Sequence, residues 1–175
     1  MCIRLETARL LLRPFSGADA EAASRNSKQP VVAHFLSDMI LETAEKARGW
    51  IAWIQTKLNM EKPFMVLAVE LKSNEEVIGL VGVAPKEEIG GETEILFAIA
   101  DEHQNKGYAA EAGQAMMNWF FDGIGKDSLS AIVKPENKPS RRVIEKLGFA
   151  YCDTRILAYD GEPCVFAYFK CQRVK

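Results

Sequence analysis

IADEHQNKGYAAEA, residues 99–112, contains the end of an apolar segment followed by a glycine-containing loop that opens a helix. The first N–H groups of a helix have no intrahelical partners and carry the positive end of the helix dipole. An anion binds there when no side chain blocks its approach, and Gly107 and Ala109 keep the approach clear. Because glycine also starts helices for turn geometry alone, the junction leaves two interpretations open, a diphosphate site and a simple turn.

Regular elements are predicted on both sides of this stretch. Helical spacing of apolar residues predicts helices over residues 18–25, 43–62, 107–120 and 138–147. Apolar and β-branched runs predict strands over residues 9–13, 64–71, 77–84, 93–99, 129–133, 149–157 and 165–171, the last two joined by a turn at 160–161. Short turns join the three middle strands, which predicts an antiparallel meander within an α/β fold.

Length and charge favour one compact domain over residues 1–175. The chain is 48% hydrophobic, enough to bury a core without disulfides or metals. Its 22 basic and 24 acidic residues give a net charge of -2, without the basic surface of a general nucleic-acid binder. No signal-peptide pattern and no apolar run of roughly 18 residues occur, so we expect a cytoplasmic protein that does not bind or cross a membrane.

Cysteines and histidines give little support for a disulfide or a metal site. The cysteines are Cys2, Cys152, Cys164 and Cys171. They contain no C-x-x-C pair, which favours reduced thiols, although a bridge between Cys152 and Cys164 stays open. Because His34 and His103 belong to no ligand-spaced cluster, we expect no metal cofactor.

A second motif lies in NKPSRRVIEKLGF, residues 137–149. Gln104-x-x-Gly107-x-Ala109 and Asn137-x-x-Ser140, the latter followed by EKLGF, resemble the two cofactor-binding motifs of the GNAT N-acetyltransferases. The opening LETARLLLRP, residues 5–14, further resembles the branch that contains the ribosomal-protein N-terminal acetyltransferases RimJ and RimL. The three motifs occur in order and span most of the chain.

The resemblance implies the three-layer GNAT fold. It has a mixed, mostly antiparallel sheet of about seven strands flanked by helices, and two central strands splay apart to hold acetyl-CoA as cosubstrate. Asn105 stands where this branch commonly has glycine, and asparagine tolerates the positive φ that the loop requires. The implied cofactor-binding residues are Phe97, Ala98, Ile99, Gln104, Asn105, Lys106, Gly107, Tyr108, Ala109, Asn137 and Ser140.

The implied reaction moves the acetyl group onto a primary amine, of a small molecule or a protein N-terminus, by direct attack. Glu94 matches a glutamate often found on this strand in the family, and would accept the amine proton through water. An ordinary solvent-facing or salt-bridged role for Glu94 is equally open, and Glu92 is a weaker substitute. Many GNAT enzymes have a tyrosine where this chain has Ile144, so Ser140 is the candidate proton donor to the thiolate.

Two alternatives to an acetyltransferase are a non-catalytic CoA-binding module and a nucleotide-binding protein. The missing tyrosine keeps open a CoA-binding sensor or interaction module with the same fold and no catalysis. A Rossmann or kinase-type nucleotide-binding protein would need G-x-G-x-x-G or G-x-x-x-x-G-K-[ST], and neither occurs. In the family's layout residues 28–41, Tyr159 and Tyr168 would line the acceptor pocket. The sequence leaves open which amine is the acceptor and whether the protein forms a homodimer.

Several prominent side chains have ordinary interpretations. The tryptophans Trp50 and Trp53 lie at helical spacing and predict core positions. His103 is expected to be a solvated loop residue. Arg141 and Arg142 have two open interpretations, an exposed helix face and contact with the 3′-phosphate of CoA.

Overall fold

A single eight-stranded sheet organises the fold. The structure, a computed structural model, describes residues 3–57, 61–159 and 161–173. The strands are β1 (Leu5–Glu6), β2 (Leu10–Pro14), β3 (Met65–Leu71), β4 (Val77–Lys86), β5 (Glu92–Ile99), β6 (Ser128–Val133), β7 (Ala150–Tyr159) and β8 (Glu162–Gln172). They lie in the order β1-β2-β3-β4-β5-β6-β8-β7. Neighbours are antiparallel except β5 and β6, which are parallel.

Within the described ranges, five α-helices cover the sheet. They are α1 (Ala20–Ser27), α2 (Pro30–Phe35), α3 (Ala44–Thr56), α4 (Tyr108–Asn118) and α5 (Lys138–Lys146). A π-helical turn, Trp119–Gly123, continues α4. Thr43 caps α3 by accepting a hydrogen bond from the Lys46 N–H, which satisfies one of the unpaired donors of its first turn.

The alternation of side chains along the strands divides the core into two layers. On β4, Val81 and Val83 face α4 and α5, whereas Leu80 faces α1 and α3. The α4 side holds the larger cluster, in which Met116, Phe120 and other helix residues pack on the inner strands. This packing places the N-terminal turns of α4 and α5 beside β5 and β6.

The predicted fold class is confirmed, with local differences. An eighth strand arises because the two-residue β1 pairs with β2. The short helix α2 was not predicted, because six residues with Pro30 at the start give too little periodicity. The helix predicted over 43–62 ends at Thr56, and its periodic position Leu58 lies outside the described residues.

Other expectations concern single residues and the membrane. Cys152, Cys164 and Cys171 are free thiols, so the open disulfide between the first two is not formed. Cys2, and Asp160 in the predicted turn, lie outside the described residues. In the described ranges, no helix is both long and apolar enough to span a membrane.

Close packing of β4 on β5 gives a stability prediction. Gly79 pairs with Ile99, and a Cβ at Gly79 would lie 2.0 Å from the Ala98 carbonyl oxygen. Gly79→Ala should therefore lower the free energy of unfolding by about 1–3 kcal/mol. Gly49 lies exposed on a helix, and a Cβ added there would have no neighbouring atom within 4 Å. Gly49→Ala should therefore raise the free energy of unfolding by about 0.5–1 kcal/mol. Urea unfolding measures both, and equal effects would contradict the close approach.

Candidate active site

A cleft opens where β5 and β6 part. Among the described residues, register pairing between these strands is limited to Glu94 and Ser130. Beyond that pair lies a cleft of about 720 Å³, walled by both strands and by the first turns of α4 and α5. Backbone N–H and C=O groups of β5 that face the cleft lack a strand partner there. Because buried backbone polar groups require partners, an extended ligand fits this gap.

The loop before α4 has the backbone conformation that its sequence predicts. Asn105 adopts φ 60° and Gly107 adopts φ 83°, both left-handed, so the tolerance of asparagine for positive φ is used. The Gln104 amide donates to the Ile99 carbonyl oxygen over 3.0 Å, which ties the loop to the end of β5. The N-cap residue of α4 is Gly107, which has no side chain to accept a hydrogen bond from the first turn. Its first N–H groups are therefore available to an anion.

A side-chain network from the N-terminal segment holds this loop. Glu111, on the first turn of α4, accepts hydrogen bonds from the Thr7 hydroxyl at 2.6 Å and from Arg9 Nε at 2.7 Å. The Arg9 guanidinium also donates to the Lys106 carbonyl oxygen over 3.0 Å and lies 4.5 Å from the Tyr108 ring centroid. The motif at residues 5–14 thus contacts the loop directly. Sequence spacing did not indicate this contact.

Most residues predicted to bind the cofactor line the cleft. Those that do are Phe97, Ala98, Ile99, Gln104, Asn105, Gly107, Tyr108, Ala109, Asn137 and Ser140. Lys106 is exposed and does not line it. Asn137 caps α5 by accepting a hydrogen bond from the Ser140 N–H over 3.1 Å. Ile144 is 1% exposed and forms part of the cleft floor.

Glu94 and Glu92 point from the same face of β5 but differ in their electrostatics. Burial raises the pKa of Glu94 to about 7, with Glu88 and Asp38 adding to the rise and Lys86 and the Ile132 backbone opposing it. Glu94 lines the cleft. It therefore titrates near neutrality, as a general base requires.

Glu92 is held in the opposite state. Burial alone would raise its pKa, but hydrogen bonds from Ser130, Tyr168 and Lys170 lower the pKa of Glu92 to about 2. The Tyr168 hydroxyl and Lys170 Nζ lie 2.7 Å and 3.0 Å from its carboxylate. Glu92 does not line the cleft. Its weak candidacy as a base therefore has no support from the geometry.

Three expectations about individual side chains were wrong. Trp53 is 49% exposed and lines the cleft, so it is not a core residue. Tyr168 is 3% exposed, bonded to Glu92 and absent from the cleft wall. The His103 side chain is 13% exposed and therefore not a solvated loop residue.

His103 also lies in a cluster that sequence spacing did not indicate. Its Nε2 is 3.5 Å from the Glu76 carboxylate, and with Glu102 the three ligand atoms lie within 4.8 Å of one another. Its Nδ1 is buried and has no hydrogen-bond partner among the described residues.

The neighbouring arginines of α5 have different surroundings. Arg142 lines the cleft, whereas Arg141 forms an ion pair with Glu145 at 2.8 Å.

Residues 30–39, part of the segment 28–41 that the family's layout assigned to the acceptor pocket, form one wall of the cleft. Val31, Phe35 and Asp38 line it, together with Tyr159 at the end of β7. The Tyr159 hydroxyl donates to Asp38 Oδ1 over 2.6 Å and so joins this segment to the far side of the sheet. Burial, and then Asp38, raises the pKa of Tyr159 to about 12, so the phenol stays protonated.

Comparison with known proteins identifies the family of this chain. The family model described as acetyltransferase (GNAT) domain matches residues 9–150. The chain belongs to the GNAT family. Its relatives include the uncharacterized N-acetyltransferase YoaA of Bacillus subtilis (strain 168), 31% identical over 147 residues that cover 83% of this chain and 81% of YoaA. N-acetyltransferase p20 of Bacillus licheniformis is 29% identical over 145 residues, 83% and 81% of the two chains. This GNAT chain is an acetyl-CoA-dependent acyltransferase.

Solved structures confirm the GNAT fold. A GNAT-family acetyltransferase from Bacillus anthracis superposes with a TM-score of 0.81 at 25% identity, covering 97% of this chain and 98% of the other. Mycobacterium smegmatis RimJ, solved in complex with CoA-disulfide, gives a TM-score of 0.77 at 17% identity, covering 98% and 86%. The resemblance to the RimJ and RimL branch thus extends to the fold.

The open start of α4 gives a binding prediction. Gly107→Glu should weaken acetyl-CoA binding by about 100-fold, because its carboxylate occupies the approach to the helix N-terminus and repels a diphosphate. Gly107→Ala is the matched control, since it shares the strain of φ 83° but adds no charge. Calorimetric titration measures both affinities, and circular dichroism checks folding. Equal losses would show that strain alone, and not the anion site, explains the effect.

Proposed function

We propose that this GNAT protein transfers the acetyl group of acetyl-CoA to a primary amine by direct attack. One observation carries the proposal. A single cleft joins an uncapped helix N-terminus at one end to Glu94, a carboxyl group with a pKa of about 7, at the other. The first suits a diphosphate, and the second suits removal of a proton near neutral pH.

The cofactor would lie along the gap between β5 and β6. Its diphosphate would accept hydrogen bonds at the loop from Gln104 to Ala109, where the approach to α4 is open. Its pantetheine arm would pair, strand-like, with backbone groups of residues 97–99. Asn137 and Ser140, at the start of α5, would face the arm and the thioester sulfur from the other side of the cleft.

The chemical step needs a neutral amine. Its nitrogen attacks the thioester carbon, the new C–N bond forms, and collapse of the tetrahedral adduct breaks the C–S bond. Ionised Glu94 accepts the proton from the amine, directly or through water. Ser140 is the candidate donor of a proton to the CoA thiolate, because Ile144 replaces the tyrosine often found in the family.

The buried Ile144 also supports a second candidate function. A hydrophobic side chain with 1% exposure at that position offers no proton to a leaving group. A module that binds CoA without catalysis would tolerate this substitution. The raised pKa of Glu94 favours catalysis over this alternative, because a binding module needs no group that titrates near neutrality.

Binding of the cofactor tests the proposal first. Calorimetric titration should detect acetyl-CoA binding with a Kd in the micromolar range, and ATP and NADH should give no comparable heat. Absence of acetyl-CoA binding would overturn the proposed function. Binding without acetyl transfer to any amine would favour the non-catalytic module.

The role of Glu94 predicts a pH dependence. Because the ionised carboxyl is the base, kcat/KM should rise with pH through about 7, separately from the titration of the amine. Glu94→Gln should abolish that inflection and lower kcat/KM about 100-fold at pH 8. Glu92→Gln is the control, since Glu92 is already ionised throughout this range and its loss should leave the inflection in place. An inflection near 7 in Glu94→Gln would assign the base elsewhere.

A further inference from the structure

The face of the sheet beside Glu94 forms a hollow with one aromatic wall. Met65 pairs with Val83, and Ala84 pairs with Glu94, so by the same register Phe64 lies beside Ala84. Phe64, Ala84 and Glu94 therefore form one row across three strands, with about 10 Å between the two outer backbones. The small side chain of Ala84 leaves the middle of the row open, and all three residues line the cleft.

The wall of the hollow is apolar and partly solvent-exposed. Trp53 on α3 packs edge-on against Phe64 with ring centroids 5.7 Å apart, yet it is 49% exposed. Val31 on α2 is 39% exposed and lines the same cleft. Aromatic side chains exposed in a concave site supply contact area for a flat apolar ligand.

The charged side chains that line the cleft favour a ligand with a single positive charge. Asp38 and Glu94 are the carboxylates that line the cleft in the described part of the chain, and Asp38 is fixed by the Tyr159 hydroxyl. Lys86 and Lys134 line the same cleft, and Lys134 Nζ lies 4.3 Å from the Tyr159 ring centroid. The carboxylates attract one ammonium group. Lys86 and Lys134, together with Lys146 and Arg142 in the same cleft, repel additional cationic groups, which disfavours polyamines and aminoglycosides.

We propose that the acceptor is a primary monoamine with a flat hydrophobic body, such as an arylalkylamine. The inference rests on the proposed acetyl transfer and names its substrate class. The amino group would lie beside Glu94, and the body would cover Ala84 and contact Phe64 and Trp53. A peptide N-terminus fits less well, because its backbone amides would face an apolar wall without hydrogen-bond partners.

A panel of amines tests the substrate class. Product formation from acetyl-CoA is measured with tryptamine, 2-phenylethylamine, spermidine and a tetrapeptide with a free amino terminus. The two arylalkylamines should have kcat/KM values at least about tenfold above the others, because ring burial contributes that much to binding. A higher value for spermidine or the tetrapeptide would overturn the inference and leave acetyl transfer intact.

Two variants locate the binding site of the apolar body. Ala84→Leu fills the hollow and should raise the KM for tryptamine about tenfold or more, and Trp53→Ala should raise it about tenfold. The acetyl-CoA Kd should stay unchanged in both. Ala150→Leu and Ile156→Ala, at exposed positions of β7 away from the cleft, are matched controls and should leave both constants unchanged.

The outcomes separate the two proposals. If the unmodified protein does not bind acetyl-CoA, both the proposed function and the inference are overturned. Binding of acetyl-CoA with unchanged tryptamine KM in Ala84→Leu and Trp53→Ala would overturn only the inference. If Ala84→Leu fails to fold, the Trp53→Ala result decides, because Trp53 is half exposed on a helix surface and its truncation leaves the core intact.

Discussion

The parting of β5 from β6 is the constraint on which the rest of the site depends. Within the described ranges, these two strands pair in parallel at one position, Glu94 with Ser130. From there one strand leads to α4 and the other to α5, so two helix N-termini open onto the same gap. The gap also connects the two faces of the sheet. In the proposed function, the cofactor would enter this gap from the α4 side and the acceptor would approach from the α3 side.

Two glutamates on one strand illustrate how surroundings decide chemistry. Glu92 and Glu94 are separated by one residue, and both face the same side of β5. Donors from β6 and β8 surround Glu92 and stabilise its ionised form, whereas burial raises the pKa of Glu94 more than Lys86 and one backbone hydrogen bond lower it. The difference comes from neighbouring strands. The sequence therefore favoured Glu94 over Glu92 as the base only through its match to a family pattern.

Local signals in the sequence predicted the fold well and the site in part. Gly107 and Asn105 were predictable because left-handed backbone restricts residue type, and both positions are left-handed. The contact between Arg9 and Glu111 joins residues 102 positions apart, and no local pattern encodes it. Trp53 was misassigned because helical periodicity identifies a face without determining what covers that face. The contact of His103 with Glu76 likewise joins two different turns of the chain.

The order of strands has a consequence for how the chain folds. β8 lies between β6 and β7, although it follows both in sequence. During folding, the backbone groups of β7 have no strand partner until β8 pairs with it and with β6. Tyr159, which hydrogen-bonds to Asp38, is the last residue of β7 and pairs with Glu162 of β8. The cleft wall that contains Tyr159 and Asp38 therefore depends on contacts between strands distant in sequence, whereas the meander of β3, β4 and β5 forms from local contacts.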